Sequence, residues 1–159
     1  NAYFITSPSS PGGLLFIVDE DLYIELDSNI SNSKIVNSKL NRELQSFFMQ
    51  LDSLYGPVRT RAKTIDNILQ FNKFTGADLS KLQTERDSLR LVLRKGLIKS
   101  IFDYAKNNRD SFVSLYLLTR TGTEVAHEGF YEALHSLSPY LKSHSRAKPY
   151  LKKIDYMGR

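Results

Sequence analysis

The sequence predicts an α+β fold, mostly α. A partial antiparallel β-sheet of two to three strands is followed by a long antiparallel helical hairpin and two to three shorter helices. Three observations carry this. Apolar residues in the first forty positions come in short runs or alternate with polar ones, the period of strands. From Leu40 they recur every three or four residues, the period of helices. The chain has 159 residues, 41% hydrophobic and 25% charged, enough for one domain with a real core and no covalent staples.

Tyr3–Ser7 reads as a short strand, closed by the punctuating run Ser7-Pro8-Ser9-Ser10-Pro11-Gly12-Gly13, which predicts a loop. Leu14–Val18 is apolar throughout and wants cover on both faces. After the polar turn Asp19-Glu20-Asp21, Leu22, Ile24 and Leu26 alternate with Tyr23 and Glu25. The expected hairpin joins these last two strands, and Ile35-Val36 adds a brief extended piece. Such a sheet is marginal alone, which predicts completion from outside the chain or by a second copy. Asn1-Ala2 resembles the remnant of a cleaved tag, an expectation that the chain is a fragment.

Leu44, Phe48, Leu51, Tyr55, Val58, Ala62, Ile65 and Leu69 form an unbroken stripe at spacings of four and three. It keeps register across Gly56-Pro57, so a kink rather than a break is expected there. Thr75-Gly76-Ala77-Asp78 makes a turn, with Asp78 as N-cap. A second long helix follows with Leu82, Leu89, Leu93, Leu97, Ile101 and Ala105 on one face, widened by Leu91, Val92, Ile98 and Phe102. The short connection makes the two helices antiparallel. Ser111–Arg120 is apolar nearly all round and should be a buried helix. A fourth helix is expected from about Glu124 to Leu141, with Phe130, Leu134 and Leu137 inward. Ser143–Ser145 reads as a linker, and Arg146–Met157 as a last basic helix. Residues 3–38 are thus the truncated sheet part, 39–142 the helical part of the same domain, and 143–159 a basic linker helix.

Charge and cysteine exclude several functions. Of 22 Lys+Arg and 17 Asp+Glu, the last 18 residues hold six basic and one acidic, so the remaining 141 are neutral. A nucleic-acid module spreads its excess over a face with interleaved aromatics, and no nucleic-acid partner is expected. The terminal cluster with Tyr150 and Tyr156 could meet lipid headgroups or nucleic acid, but a linker to another domain is the simpler reading. With no Cys there is no disulfide, thiolate nucleophile or Cys-ligated metal. No apolar run reaches the ~20 residues of a membrane span.

The motifs that carry chemistry elsewhere have structural readings here. Glu124-Val125-Ala126-His127 and Glu132-Ala133-Leu134-His135 are both Glu-x-x-His, the spacing of di-iron carboxylate bundles. Both lie on one expected helix, ~12 Å apart along its axis, and read as solvated surface. No serine sits in a Gly-x-Ser-x-Gly elbow. Pro11-Gly12-Gly13 precedes a strand, so it offers no helix N-terminus to phosphate. Asp19 and Asp21 are turn residues. Arg86, Arg90 and Arg94 form a row expected to be solvated, with partners Glu85 and Asp87 on the same helix. No catalytic, cofactor-binding or metal residue is assigned, and no cofactor is implied.

One stretch resembles a family. Leu14–Leu26, then Ile35-Val36-Asn37-Ser38-Lys39-Leu40-Asn41-Arg42-Glu43-Leu44-Gln45-Ser46-Phe47, the two long helices, and Ser111-Phe112-Val113-Ser114-Leu115-Tyr116-Leu117-Leu118 are similar to the N-terminal domain of unknown function that precedes the thioredoxin-like domain in bacterial envelope thiol-disulfide oxidoreductases (TlpA-like thiol:disulfide interchange proteins). There an extended Val-Gly-Ser-x-Leu-Asn step enters a helical hairpin, and a buried Ser-x-x-x-Leu-Tyr-Leu-Leu helix follows. The resemblance runs from about Leu14 to Arg159, with Gly158 at the junction to the next domain. Asn37 stands where the family commonly has Gly, the family's first strands are missing, and the redox Cys-x-x-Cys is absent, so no functional residue transfers.

The resemblance implies a non-catalytic accessory or interaction domain in the periplasm or cell envelope. It would position or dimerise the thioredoxin-like domain, or recognise that domain's partner. The partners implied are the C-terminal thioredoxin-like domain and a homodimer through the open sheet edge or the helical hairpin. A periplasmic sensor or ligand-binding helical module is the alternative, and an enzyme comes third.

Overall fold

The computed structural model describes residues 2–7, 10–18, 23–30, 33–71, 77–121 and 128–157. The protein is α+β and mostly α. The chain divides into two compact units, Asn1–Met49 and Gln50–Arg159, and the long helix α1 (Lys39–Phe71) contributes to both.

In the first unit, β1 (Ala2–Ser7) pairs antiparallel with β2 (Ser10–Ile17), Ala2 opposite Ile17 and Ile5 opposite Leu14. This corrects two expectations. The run Ser10–Gly13 belongs to a strand rather than a loop, and Leu14–Ile17 takes β1, not Leu22–Leu26, as its partner. Thr6 faces Gly13 while Ser7 faces Ser10, so Pro11 and Gly12 fall at a register shift. A proline that cannot donate is accommodated where pairing is already interrupted. The alternating segment is a separate two-stranded ribbon, β3 (Ile24–Glu25) with β4 (Lys34–Ile35). The Val36 N–H donates to the Tyr23 carbonyl at 3.1 Å and the Tyr23 N–H to Asn37 Oδ1 at 2.9 Å. The Asp27 N–H donates to Ser33 Oγ at 3.0 Å, so side chains extend a ladder too short to persist alone. Leu14, Phe16, Ile30 and Ile35 form its core, with Ile24 packed against them.

The step into α1 is wired by two buried polar residues. Ser38 Oγ accepts the Asn41 N–H at 3.2 Å, the N-cap to N3 bond that starts a helix. Asn41 then closes on β2 like a neighbouring strand. Its Oδ1 accepts the Ile17 N–H and its Nδ2 donates to the Ile17 carbonyl, both at 2.7 Å. A further bond of 2.9 Å runs from Nδ2 to Ser38 Oγ. Every buried polar atom of this pair is thereby given a partner, as burial requires.

In the second unit, α1 runs unbroken through Gly56-Pro57, in accord with the preserved register. Pro57 is exposed, and having no N–H it leaves one helical carbonyl without its usual donor. Along the stripe, Leu51, Ala62 and Ile65 are buried here, and in the part of α1 that belongs to the first unit Leu44 is buried while Phe47 takes the inward place expected of Phe48. α2 (Ala77–Asn107) runs antiparallel to α1, with Tyr55 against Gly96 and Arg61 paired with Glu85. Its apolar residues do not make one widened face. Ile101, Phe102 and Ala105 are buried, whereas Leu91, Val92 and Leu97 are exposed. The reason is coverage: α3 (Phe112–Thr121) and α4 (Glu128–Ser136) pack on α2, and Phe102 meets Phe130 of α4 with ring centroids 6.4 Å apart.

α3 is buried from Val113 to Leu118, as its all-round apolar sequence requires. Ser111 Oγ caps it by accepting the Val113 N–H at 3.2 Å, and Ser114 Oγ donates to the Asn108 carbonyl at 2.7 Å. The expected fourth helix is two. α4 ends at Ser136, and α5 (Pro139–Ser143) begins with Pro139 in its first turn. Proline suits a helix start, where its missing N–H is not needed, better than a helix interior. Phe130, Leu134 and Leu137 are inward as expected. α6 (Lys148–Met157) follows a turn at 144–147.

Candidate functional site

The residues that build a candidate site are spaced by helical geometry. Leu51, Tyr55 and Arg59 sit at successive four-residue steps on α1, and Leu93, Arg94 and Leu97 come from α2. Together they line a groove of about 300 Å³. Gly96, which is buried, lies against the Tyr55 side chain of this groove. A Cβ there would lie 2.4–2.6 Å from the Tyr55 ring tip, so glycine admits the tyrosine between the helices. Leu54 is 66% exposed on α1, and Leu91, Val92 and Leu97 are 51%, 49% and 37% exposed on α2. The helical pair therefore carries an apolar groove and several large apolar side chains in water.

Ion pairs brace the same two helices. Arg61 donates to both Glu85 oxygens at 2.8 and 3.2 Å, and Arg90 to both Asp66 oxygens at 2.9 and 3.0 Å. The arginine row was expected to find partners on its own helix. Arg86 does, with Asp87 at 2.9 Å, but Arg90 and Glu85 reach across to α1. Opposite charges 24 residues apart in sequence meet because the hairpin folds them together. Arg59, on the groove wall, pairs with Asp52. The hydrogen bond from Arg61 holds the Glu85 carboxyl below its ordinary range, and the same bond raises the Arg61 guanidinium.

The other sequence motifs lie elsewhere. Glu132 on α4 accepts Lys106 Nζ at 2.8 Å, which lowers its carboxyl pKa. His135 is exposed. Glu124, His127, Asp19 and Asp21 lie outside the described residues. Among the described residues no group of three His, Asp or Glu side chains is placed to hold a metal ion, and no helix is long and apolar enough to cross a membrane. His144 Nδ1 accepts the Arg146 N–H at 3.1 Å, with its ring edge-on to Phe112. Sequence reading missed Asn41, Tyr55 and Gly96 as a set of contacts. The signal for Asn41 was its place three residues after Ser38, while nothing local marks Gly96 as the residue that Tyr55 packs against.

Comparison with protein-family models, with curated proteins and with solved structures gives no match.

Proposed function

We propose that the chain is a non-catalytic accessory domain that works by protein interaction, accompanying the thioredoxin-like domain of a thiol-disulfide oxidoreductase in the bacterial periplasm or cell envelope. The observation that carries the interaction reading is the exposure of Leu54, Leu91 and Val92 on the braced helical pair, which also carries the groove lined by Tyr55. Large apolar side chains left in water on a braced helical pair favour a docking role. The resemblance in Val36–Asn41 and Ser111–Leu118 supplies the oxidoreductase context. The thioredoxin-like domain would perform thiolate exchange, and this chain would position or dimerise it.

The test begins with the gene segment following Arg159. A Cys-x-x-Cys domain encoded there, binding this chain in trans and shifting the amide resonances of Leu54, Leu91 and Val92, supports the proposal. A stop codon at that point, or shifts confined to other elements, sinks it. The groove also favours the alternative of a ligand-binding module, since about 300 Å³ is the lower end of small-molecule sites. Saturable shifts at Tyr55 with a small amphipathic ligand, and none with the protein partner, would select that alternative.

A further inference from the structure

We infer that the outer face of α6 docks on an anionic phospholipid surface through its lysine ammonium groups, independently of the role given to the helical pair. α6 is fixed by its inner side. Tyr150 Oη donates to the Thr119 carbonyl of α3 at 2.8 Å, and the Tyr150 ring stands edge-on to Phe130 of α4 with centroids 5.8 Å apart. Ala147, just ahead of the helix, is fully buried. Successive helical positions are about 100° apart, so Lys148, Lys152 and Lys153 fall within one arc of about 140°, the first two about 160° from Tyr150 and Lys153 at the arc's edge about 60° from it. All three are exposed, and among the described residues none takes part in an ion pair. The neighbouring cations are occupied: Lys142 Nζ donates to the His135 carbonyl at 3.2 Å, and Arg146 lies over the Tyr116 ring at 5.8 Å. α5, which packs against α6, leaves Tyr140 77% exposed.

This arrangement fits headgroups better than bases. Lysines are compact point charges that need no planar fork to meet a phosphate. A nucleic-acid face draws on arginine and interleaved aromatics over a wider area. The rigid seat of α6 also means that the three charges are presented together without ordering a disordered segment.

Each lysine beside an anionic leaflet is worth about fivefold in partitioning, so the three together give about 100-fold. Co-sedimentation of the chain with phosphatidylcholine vesicles containing phosphatidylglycerol tests this, against pure phosphatidylcholine vesicles. Retention on the anionic vesicles alone, lost between 0.05 and 0.5 M salt as screening requires, is the expected result. The triple variant Lys148→Gln, Lys152→Gln, Lys153→Gln is expected to lose about 100-fold in partitioning with an unchanged thermal unfolding curve. The wild-type salt series reads the same proposal without depending on how the variant folds. Equal retention on neutral vesicles, unaltered retention of a folded triple variant, or tighter binding to a duplex oligonucleotide than to the anionic vesicles would each overturn it.

Discussion

Asn41 joins the start of α1 to the end of β2 by matching both backbone groups of Ile17 with one side-chain amide. Asn41→Ala leaves a buried donor and acceptor without partners, at about 1–3 kcal/mol for each unsatisfied group. The expected loss is about 2–6 kcal/mol in urea denaturation. Asn41→Asp keeps the acceptor for the Ile17 N–H but turns an oxygen toward the Ile17 carbonyl, which raises the carboxyl pKa. Its stability should therefore fall further as pH rises through that value, a trend Asn41→Ala will not share. Two glycines give a second contrast. A Cβ at Gly56 meets nothing within 4 Å, whereas at Gly96 it meets the Tyr55 ring. Gly56→Ala should stabilise by about 1 kcal/mol through helix propensity. Gly96→Ala should show that full gain only when Tyr55→Ala is also present, and a double-mutant cycle with no coupling would remove the close-contact account.

The elements were legible wherever local pattern and final environment agree. α3 is buried because its six central residues, Val113–Leu118, are apolar or small, and no alternative placement hides them. The stripe on α1 announced one helix through Pro57. Legibility failed where punctuation residues had a second use: Pro11-Gly12 mark a register shift inside a hairpin, and Pro139 starts a helix rather than ending one. It failed on α2 because periodicity reports apolar positions but not how far neighbouring helices extend to cover them, so Leu91 and Val92 read as core and stand in water. The interhelical ion pairs add a prediction at this scale. Glu85 and Glu132 have lowered carboxyl pKa values, each caused first by a hydrogen bond from a cation, Arg61 and Lys106. A lowered carboxyl contributes stability that is present above its unfolded value, about 4.3, and is lost as pH falls through the folded value. Carboxyl NMR titrations should place both midpoints below the ordinary range. Arg61→Ala should return Glu85 toward it while leaving Glu132 unmoved. Because these groups are exposed, the effect on overall stability is small and shrinks with salt.

Across the whole molecule, protection should be uneven. The amides of Val113–Leu118 lie in an element buried on all sides, and β3 and β4 are two residues each. Native-state hydrogen exchange should find the α3 amides slowest and those of the ribbon among the fastest. Equal rates in the two segments would show that the chain opens only as a whole. The candidate site was the least legible feature, because Tyr55 and Gly96 meet from helices forty-one residues apart in sequence. One further consequence follows from α2 having two apolar sides, Gly96 and Leu93 toward α1 and Ile101, Phe102 and Ala105 toward α3 and α4. A residue inserted between Gly96 and Ile101 turns one side against the other by about 100°; three or four residues, about one turn, still leave them about 40–60° out of phase, and about seven, two turns, bring them back to within about 20°. The middle of α2 should thus be closed to small insertions and deletions even where its surface is wet, and length variation in a family of such chains would collect in the connections instead.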